Sequence, residues 1–345
     1  MDWPGEKLVI KLWETLAEKG IGSLLSPWQT TRDGKARIGL RREELLLLAQ
    51  AEVDAADIRS GRKRLESNGN LRLLTYDTSG SDKVEPDSAG RIEPRICLRS
   101  LADVHLRSST AEDARKEINS SKAVIYAEEV LSSDPQTPPD RKFDDDWLFT
   151  WRDYAGGVST EDLQRLWGKV LAGEVKSPGT YSLRTLEFLK GLSKAEAEQI
   201  SKLASFVIEG CIVRSLKQHL EEQGITFSLL LKMQELGLLA GVEAVGLNTK
   251  YNSSTSERFV VGLRSNGKVL LVEDDDPTKA LSLEIYLLTD VGRQLLGLGS
   301  FPPNVDYLRL AGKEIVKKGF RVKLADWVQV TENEGQYLNE ETLDA

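Results

Sequence analysis

The sequence predicts a mainly α fold: a central helical bundle with an N-terminal helical arm and a C-terminal winged-helix-like α+β module. Three observations predict it. Apolar residues recur at spacings of three and four in residues 7–25 and again through 144–210, the period of helices with one buried face. The four short helical stretches between 144 and 210 are joined by short turns, as in a compact bundle. Beyond about residue 225 the pattern changes to β-rich runs around a Ser-Asn-Gly turn, flanked by helices. A chain of 345 residues exceeds what one core usually covers. The expected parts are an arm over 1–75, a linker over 76–95, a helical connector over 96–131, the bundle over 140–222, the winged-helix-like module over 223–330 and an acidic tail over 331–345.

In the arm, Leu8, Leu12, Trp13, Leu16, Ala17, Ile21, Leu24 and Leu25 fall on one side of a helix, with Lys7, Lys11, Glu14, Glu18 and Lys19 mainly on the other. Pro27 is expected to end it. Residues 42–67 read as a second helix rich in Ala, Leu and Glu. Residues 76–95 are dense in Asp, Ser, Gly and Pro and poor in apolar side chains, a linker composition. A more polar helix over about 101–131 and a second, shorter linker (132–142) follow.

The bundle opens with acids at the N-terminus of a helix over 144–157, where the helix dipole favours them. The next helix has Ser159 as expected N-cap and Asp162 three residues on. Its run LQRLWGKVLAGE (163–174) places Leu163, Leu166, Val170 and Leu171 on one face beside Trp167. Each interior glycine costs about 1 kcal/mol against alanine, so Gly168 and Gly173 call for a compensating close approach by a neighbour. Trp147, Trp151, Leu166 and Trp167 are the expected core. A turn and then a helix within 177–192, carrying Leu183, Leu186 and Leu189, and a Ser193-capped helix over 193–210 complete the bundle. Then come a helix over 226–239, a hairpin over 258–276, a strand and a Thr289-capped helix over 281–298, a helix over 304–319 and a last strand over 320–330. The acidic end is expected to be loose.

A formal net charge of −8 argues against a general nucleic-acid coat, because phosphate neutralisation supplies most such affinity. Two distant cysteines, Cys97 and Cys211, fit a reducing compartment. No apolar run approaches the roughly 20 residues of a spanning helix. The expected location is the cytoplasm, with peripheral contact at the inner membrane as a variant. His105 and His219 lie in no metal spacing, and His219 reads as solvated on a polar helix; no Walker loop or Gly-x-Ser-x-Gly elbow is present. Asp144–Asp146 and Asp274–Asp276 could gather a divalent cation but read more simply as a helix N-terminus and a loop. No catalytic, cofactor or metal residue is assigned, and the enzyme question is left open, leaning to no.

The run from Asp144 to Ile200, with Trp147 and Trp151, then LWGKVLAGE, then SPGTYSLRTLEFL, resembles the core of an uncharacterised bacterial family, domain of unknown function 2806. Weaker similarity extends to KGIGSLLSPWQ and LTDVGRQLL. The resemblance implies a neighbourhood of prophage and antiphage-defence genes and supplies no catalytic residues.

The leading expectation is therefore a non-enzymatic interaction or scaffold protein, partnered by itself or by another protein. It would assemble through Leu12, Trp13, Leu16, Ile21 and Leu24 of the first helix. The alternative is a nucleic-acid-associated regulator using the winged-helix-like module and a basic stretch, Arg32, Lys35, Arg37, Arg41 and Arg42, which would equally suit anionic lipid. A helix over 226–238 offers only Lys232 and Gln234 as readers of bases; Arg258, Arg264 and Lys268 flank them on the wing.

Overall fold

The computed structural model describes residues 4–21, 37–66, 70–73, 98–243, 247–329 and 335–344; for 37–45, 64, 98–103 and 329 it describes the backbone alone. The chain divides into two compact units, Met1–Leu186 and Glu187–Ala345. It is 52% helical and 20% strand, with two antiparallel sheets in the C-terminal half. The fold is therefore mixed α+β, which corrects the mainly α expectation and the idea of a winged-helix-like appendage.

The first unit begins with α1 (Glu6–Glu18). Gly20, at φ +65°, ends it well before Pro27. The amide of Ile21 donates to the Leu16 carbonyl and that of Gly20 to Ala17, the paired bonds of a Schellman C-cap. Next come α2 (Arg37–Arg59) and a small ribbon of β1 (Lys63–Leu65) and β2 (Leu71–Leu73). The long helix α3 (Leu98–Leu131) is the axis of the unit; α2, α4 (Asp145–Gly157) and α5 (Glu161–Lys176) all pack on it. Asp144 caps α4, its carboxylate accepting from the Trp147 amide at 3.0 Å. The start of α5 differs from expectation. Thr160 is its N-cap residue, without a side-chain cap bond, and Ser159 instead accepts from Arg115 at 3.0 Å. The unit ends in α6 (Leu183–Gly191), where Ser182 Oγ accepts from the Thr185 amide at 3.3 Å.

The tryptophan core forms as the sequence predicts for its three rings. Trp147, Trp151 and Trp167 are buried; Trp151 Nε1 donates to the Trp167 carbonyl at 3.0 Å and Trp147 Nε1 to the Tyr181 carbonyl at 2.7 Å. Leu166 is only half-buried and Leu163 is exposed, so the buried face of α5 runs instead through Gln164, Trp167, Val170, Leu171 and Val175. Gln164 is part of a buried polar chain: its amide donates to Asn119 Oδ1 at 3.1 Å, and Asn119 donates to the Gly156 carbonyl at 2.9 Å.

The second unit starts with α7 (Lys194–Ala204), which carries a full capping box between Ser193 and Glu196. Then follow β3 (Cys211–Val213), α8 (Lys217–Glu222), α9 (Phe227–Glu235), β4 (Leu239–Ala240), β5 (Leu247–Tyr251), β6 (Phe259–Ser265), β7 (Lys268–Asp274) and β8 (Leu281–Leu288). After them come α10 (Asp290–Gly297), α11 (Val305–Val316), β9 (Arg321–Gln329) and β10 (Gly335–Leu343). One sheet has the order β3-β8-β4, with β5 also paired to β8; the other runs β10-β9-β7-β6. Asn266 and Gly267 join β6 to β7, both at positive φ, as a two-residue type I′ turn demands. Gly312 of α11 lies against Leu270, Val322 and Leu343 of the second sheet.

The acidic end, expected to be loose, supplies β10. Its side chains are exposed almost throughout, so no apolar alternation announces it. Backbone pairing with β9 holds it, helped by Lys323–Glu340 and Arg309–Glu341 ion pairs at 2.6 and 3.1 Å.

Candidate interaction surface

The first candidate is α1. Leu12, Trp13, Leu16 and Ile21 are all buried in the described structure, and Trp13 Nε1 donates to Glu128 on α3 at 3.1 Å. The apolar face of α1 is thus consumed within its own unit. Leu24 lies outside the described residues. So do Arg32 and Lys35; Arg37, Arg41 and Arg42 lie on α2, with side chains outside the description.

The neighbouring cations are neutralised locally. Arg59 pairs with Glu112 at 3.5 Å, Arg62 with Asp57 at 2.7 Å, and Lys63 with Asp54 and Asp57 at 2.6 and 3.1 Å. The same holds around α9. Lys232 donates to Gln199 at 2.9 Å, and Gln234 binds the Val242 amide and Glu243 at 2.7 and 3.1 Å. Arg258 pairs with Glu273, Arg264 with Glu209 and Lys268 with Asp326. A phosphate backbone would have to displace a carboxylate at Arg59, Arg62, Lys63, Arg258, Arg264 and Lys268.

The acid clusters are likewise engaged. Asp144 caps α4, and Asp145 pairs with Lys19 at 2.6 Å. Lys279 bonds Asp274, Arg321 bonds Asp275 and Thr278 bonds Asp276, and these partners hold all three carboxyls below their ordinary range. Among the described residues no group of three or more His, Cys, Asp or Glu is placed to hold a metal ion. A cleft of about 140 Å³ beside α1 is lined by Lys11, Lys19 and Lys142 and by Glu14, Glu18 and Asp145, a balanced set of charges. His219, expected to be solvated, is half-buried; its ring stacks on Tyr307 with centroids 6.3 Å apart. His105 is exposed, Cys211 is buried and Cys97 lies outside the described residues.

One buried acid was missed. Glu174 of α5 accepts from the amides of Gly179 and Tyr181, clasping the turn that follows the helix. Burial pushes its carboxyl above the ordinary glutamate value, against the lowering effect of those amides. Replacing it by glutamine leaves the amides a weaker acceptor and is expected to destabilise the protein by about 1–3 kcal/mol. A raised folded-state pKa favours the native state below the unfolded value and loses that advantage as pH rises through the folded value. The stability of wild type minus Glu174→Gln should therefore shrink from pH 5 to pH 7.5 in denaturant titrations. A difference that grows with pH would reverse the assignment.

Among the described residues, one apolar surface left open is the far side of α2. Leu48, Ala55 and Ile58 are buried in the unit. Leu46, Ala49, Val53, Ala56 and Ser60, spaced three-four-three-four, are exposed, with Leu47 beside them. Leu46 is 61% and Val53 54% accessible. The sequence contains this second stripe, but only the docking of α2 on α3 reveals which stripe faces outward.

The model of a family described as a protein of unknown function (DUF2806) matches residues 107–311, more than half of the chain and including the run 144–200. No curated protein and no solved structure matches.

Proposed function

The chain belongs to the DUF2806 family, and we propose that it is a non-enzymatic interaction protein whose docking element is the outward stripe of α2. The observation that carries this reading is a helix apolar on two opposite sides, with one side packed in its unit and the other exposed. A second apolar stripe, opposite the one that faces the core, is a surface a partner can cover. Covering the exposed half of Leu46 and Val53 would contribute about 1 kcal/mol for each side chain. The burial of the α1 face moves the assembly role from α1 to α2. No helix among the described residues is long and apolar enough to cross a membrane, and the buried free thiol of Cys211 suits the reducing cytoplasm in which we place the protein.

The test compares proteins retained from host lysate by immobilised wild type, Val53→Glu and Ile10→Glu. Ile10 is an exposed apolar residue of α1, 49% accessible, and serves as control. A protein held by wild type and Ile10→Glu but lost with Val53→Glu supports the reading. Identical retention by all three removes it. An immobilised monomer can capture a second copy as readily as another protein, so the retained band is identified by mass.

A further inference from the structure

We propose that the occupant of the α2 stripe is α2 of a second copy of this chain, packed antiparallel about a two-fold axis. The inference rests on the docking reading of α2 and names its partner.

The argument is the distribution of charge beside the stripe. Leu46 and Val53 of α2 take the first position of a seven-residue repeat, with Ser60 just past the helix end in line with them, and Ala49 and Ala56 take the fourth, the seam of a two-helix coil. One flank of that seam carries Glu52 and Arg59, opposite in sign and two turns apart. Their side chains are 41% and 53% accessible while paired to Lys122 and Glu112 within the unit. In an antiparallel pair with Val53 opposite Ala56 of the second copy, Ala49 falls opposite Ser60, and this same flank of one helix meets the same flank of the other. Glu52 then faces Arg59 of the second copy, and the two-fold axis repeats the pair. The other flank brings Gln50 beside Asp57, an amide beside a carboxylate. A parallel copy would instead bring Glu52 toward Asp57, two like charges. The alanines at the centre let the helix backbones approach closely, and the two-fold arrangement closes on itself without growing into a filament. In this register residues 50–59 of the two helices overlap, about three turns, and Leu46 lies beyond the end of the partner helix, so the interface is small and association is reversible and concentration-dependent.

Sedimentation velocity on the full chain from about 1 to 200 µM tests this. Wild type is expected to move from monomer to dimer across the series, and Val53→Glu to remain monomeric throughout with an unchanged thermal midpoint. Glu52→Arg and Arg59→Glu should each weaken the dimer at least tenfold. The double variant E52R/R59E should recover most of that loss, because the reciprocal pair is restored with its signs exchanged. Glu52→Arg breaks the pair to Lys122, Arg59→Glu breaks the pair to Glu112 and the double variant breaks both, so recovery in the double is not a restored intrachain pair. If Val53→Glu fails to fold, the charge exchange still decides. A wild type that stays monomeric at 200 µM, a dimer indifferent to Val53→Glu, or a double variant no better than the singles overturns the proposal. A monomeric wild type that still loses a different lysate protein with Val53→Glu removes the second copy but keeps α2 as a docking helix; loss of both effects removes the docking reading as well.

Discussion

Replacing Trp151 by alanine is expected to lower the stability of the N-terminal unit by about 3–5 kcal/mol, the range for emptying a fully buried tryptophan site. Trp151 has no accessible surface, and its indole reaches from α4 to the Trp167 carbonyl on α5. The substitution removes both the ring and that cross-helix bond. The space it leaves is walled by helices fixed independently on α3, so collapse into it is limited. Trp151→Phe keeps most of the volume but not the N–H, and a loss of about 1–2 kcal/mol is expected. Six of the seven tryptophans precede residue 187, so fluorescence reports chiefly on this unit during chemical unfolding. A midpoint unchanged in Trp151→Ala would mean that the α4–α5 contact contributes little to the fold.

Much of the helical architecture was legible because its helices state their boundaries locally. Ser193 and Thr289 cap where the sequence places them, the acids at 144–146 stand at the start of α4, and the tryptophan spacing marks the α4–α5 core. The Asn266-Gly267 turn was legible for the same reason: it needs two positive φ values that few residue pairs adopt. Other features depend on long-range pairing. β10 is an acidic, exposed segment that becomes a strand only because β9 offers a free edge, and this is one reason the fold is more β than its pattern indicated. Glu174 reads as an ordinary surface glutamate of a helix until the following turn folds back over it. The proposal of α2 rather than α1 as the interaction helix has the same cause. Both α1 and α2 carry apolar residues at helical spacing, and only the packing on α3 and α5 shows that α1 spends its apolar face internally while α2 keeps one outside.

The sharpest opposition between local and tertiary forces is at Gly168, and the sign of its substitution follows from distances. Helix propensity favours Gly168→Ala by about 1 kcal/mol. A Cβ there would lie 2.7 Å from Tyr126 Cβ, 2.9 Å from the Ala123 carbonyl oxygen and 3.0 Å from the Ala127 nitrogen. Two of those three atoms are α3 backbone, which cannot yield without moving the helix, and overpacking of this kind costs about 1–3 kcal/mol. Gly168→Ala is therefore expected to be destabilising on balance, and Gly168→Leu to lose about 3 kcal/mol or more, since its larger side chain grows from the same obstructed Cβ. Gly157 is the control. A Cβ there meets nothing within 4 Å, so Gly157→Ala should be neutral or stabilising by up to about 1 kcal/mol. Denaturant midpoints of the three variants distinguish the two forces. If Gly168→Ala raised stability as Gly157→Ala does, propensity alone would govern the position, and α3 and α5 would not be in the backbone contact that explains why a glycine stands beside Trp167.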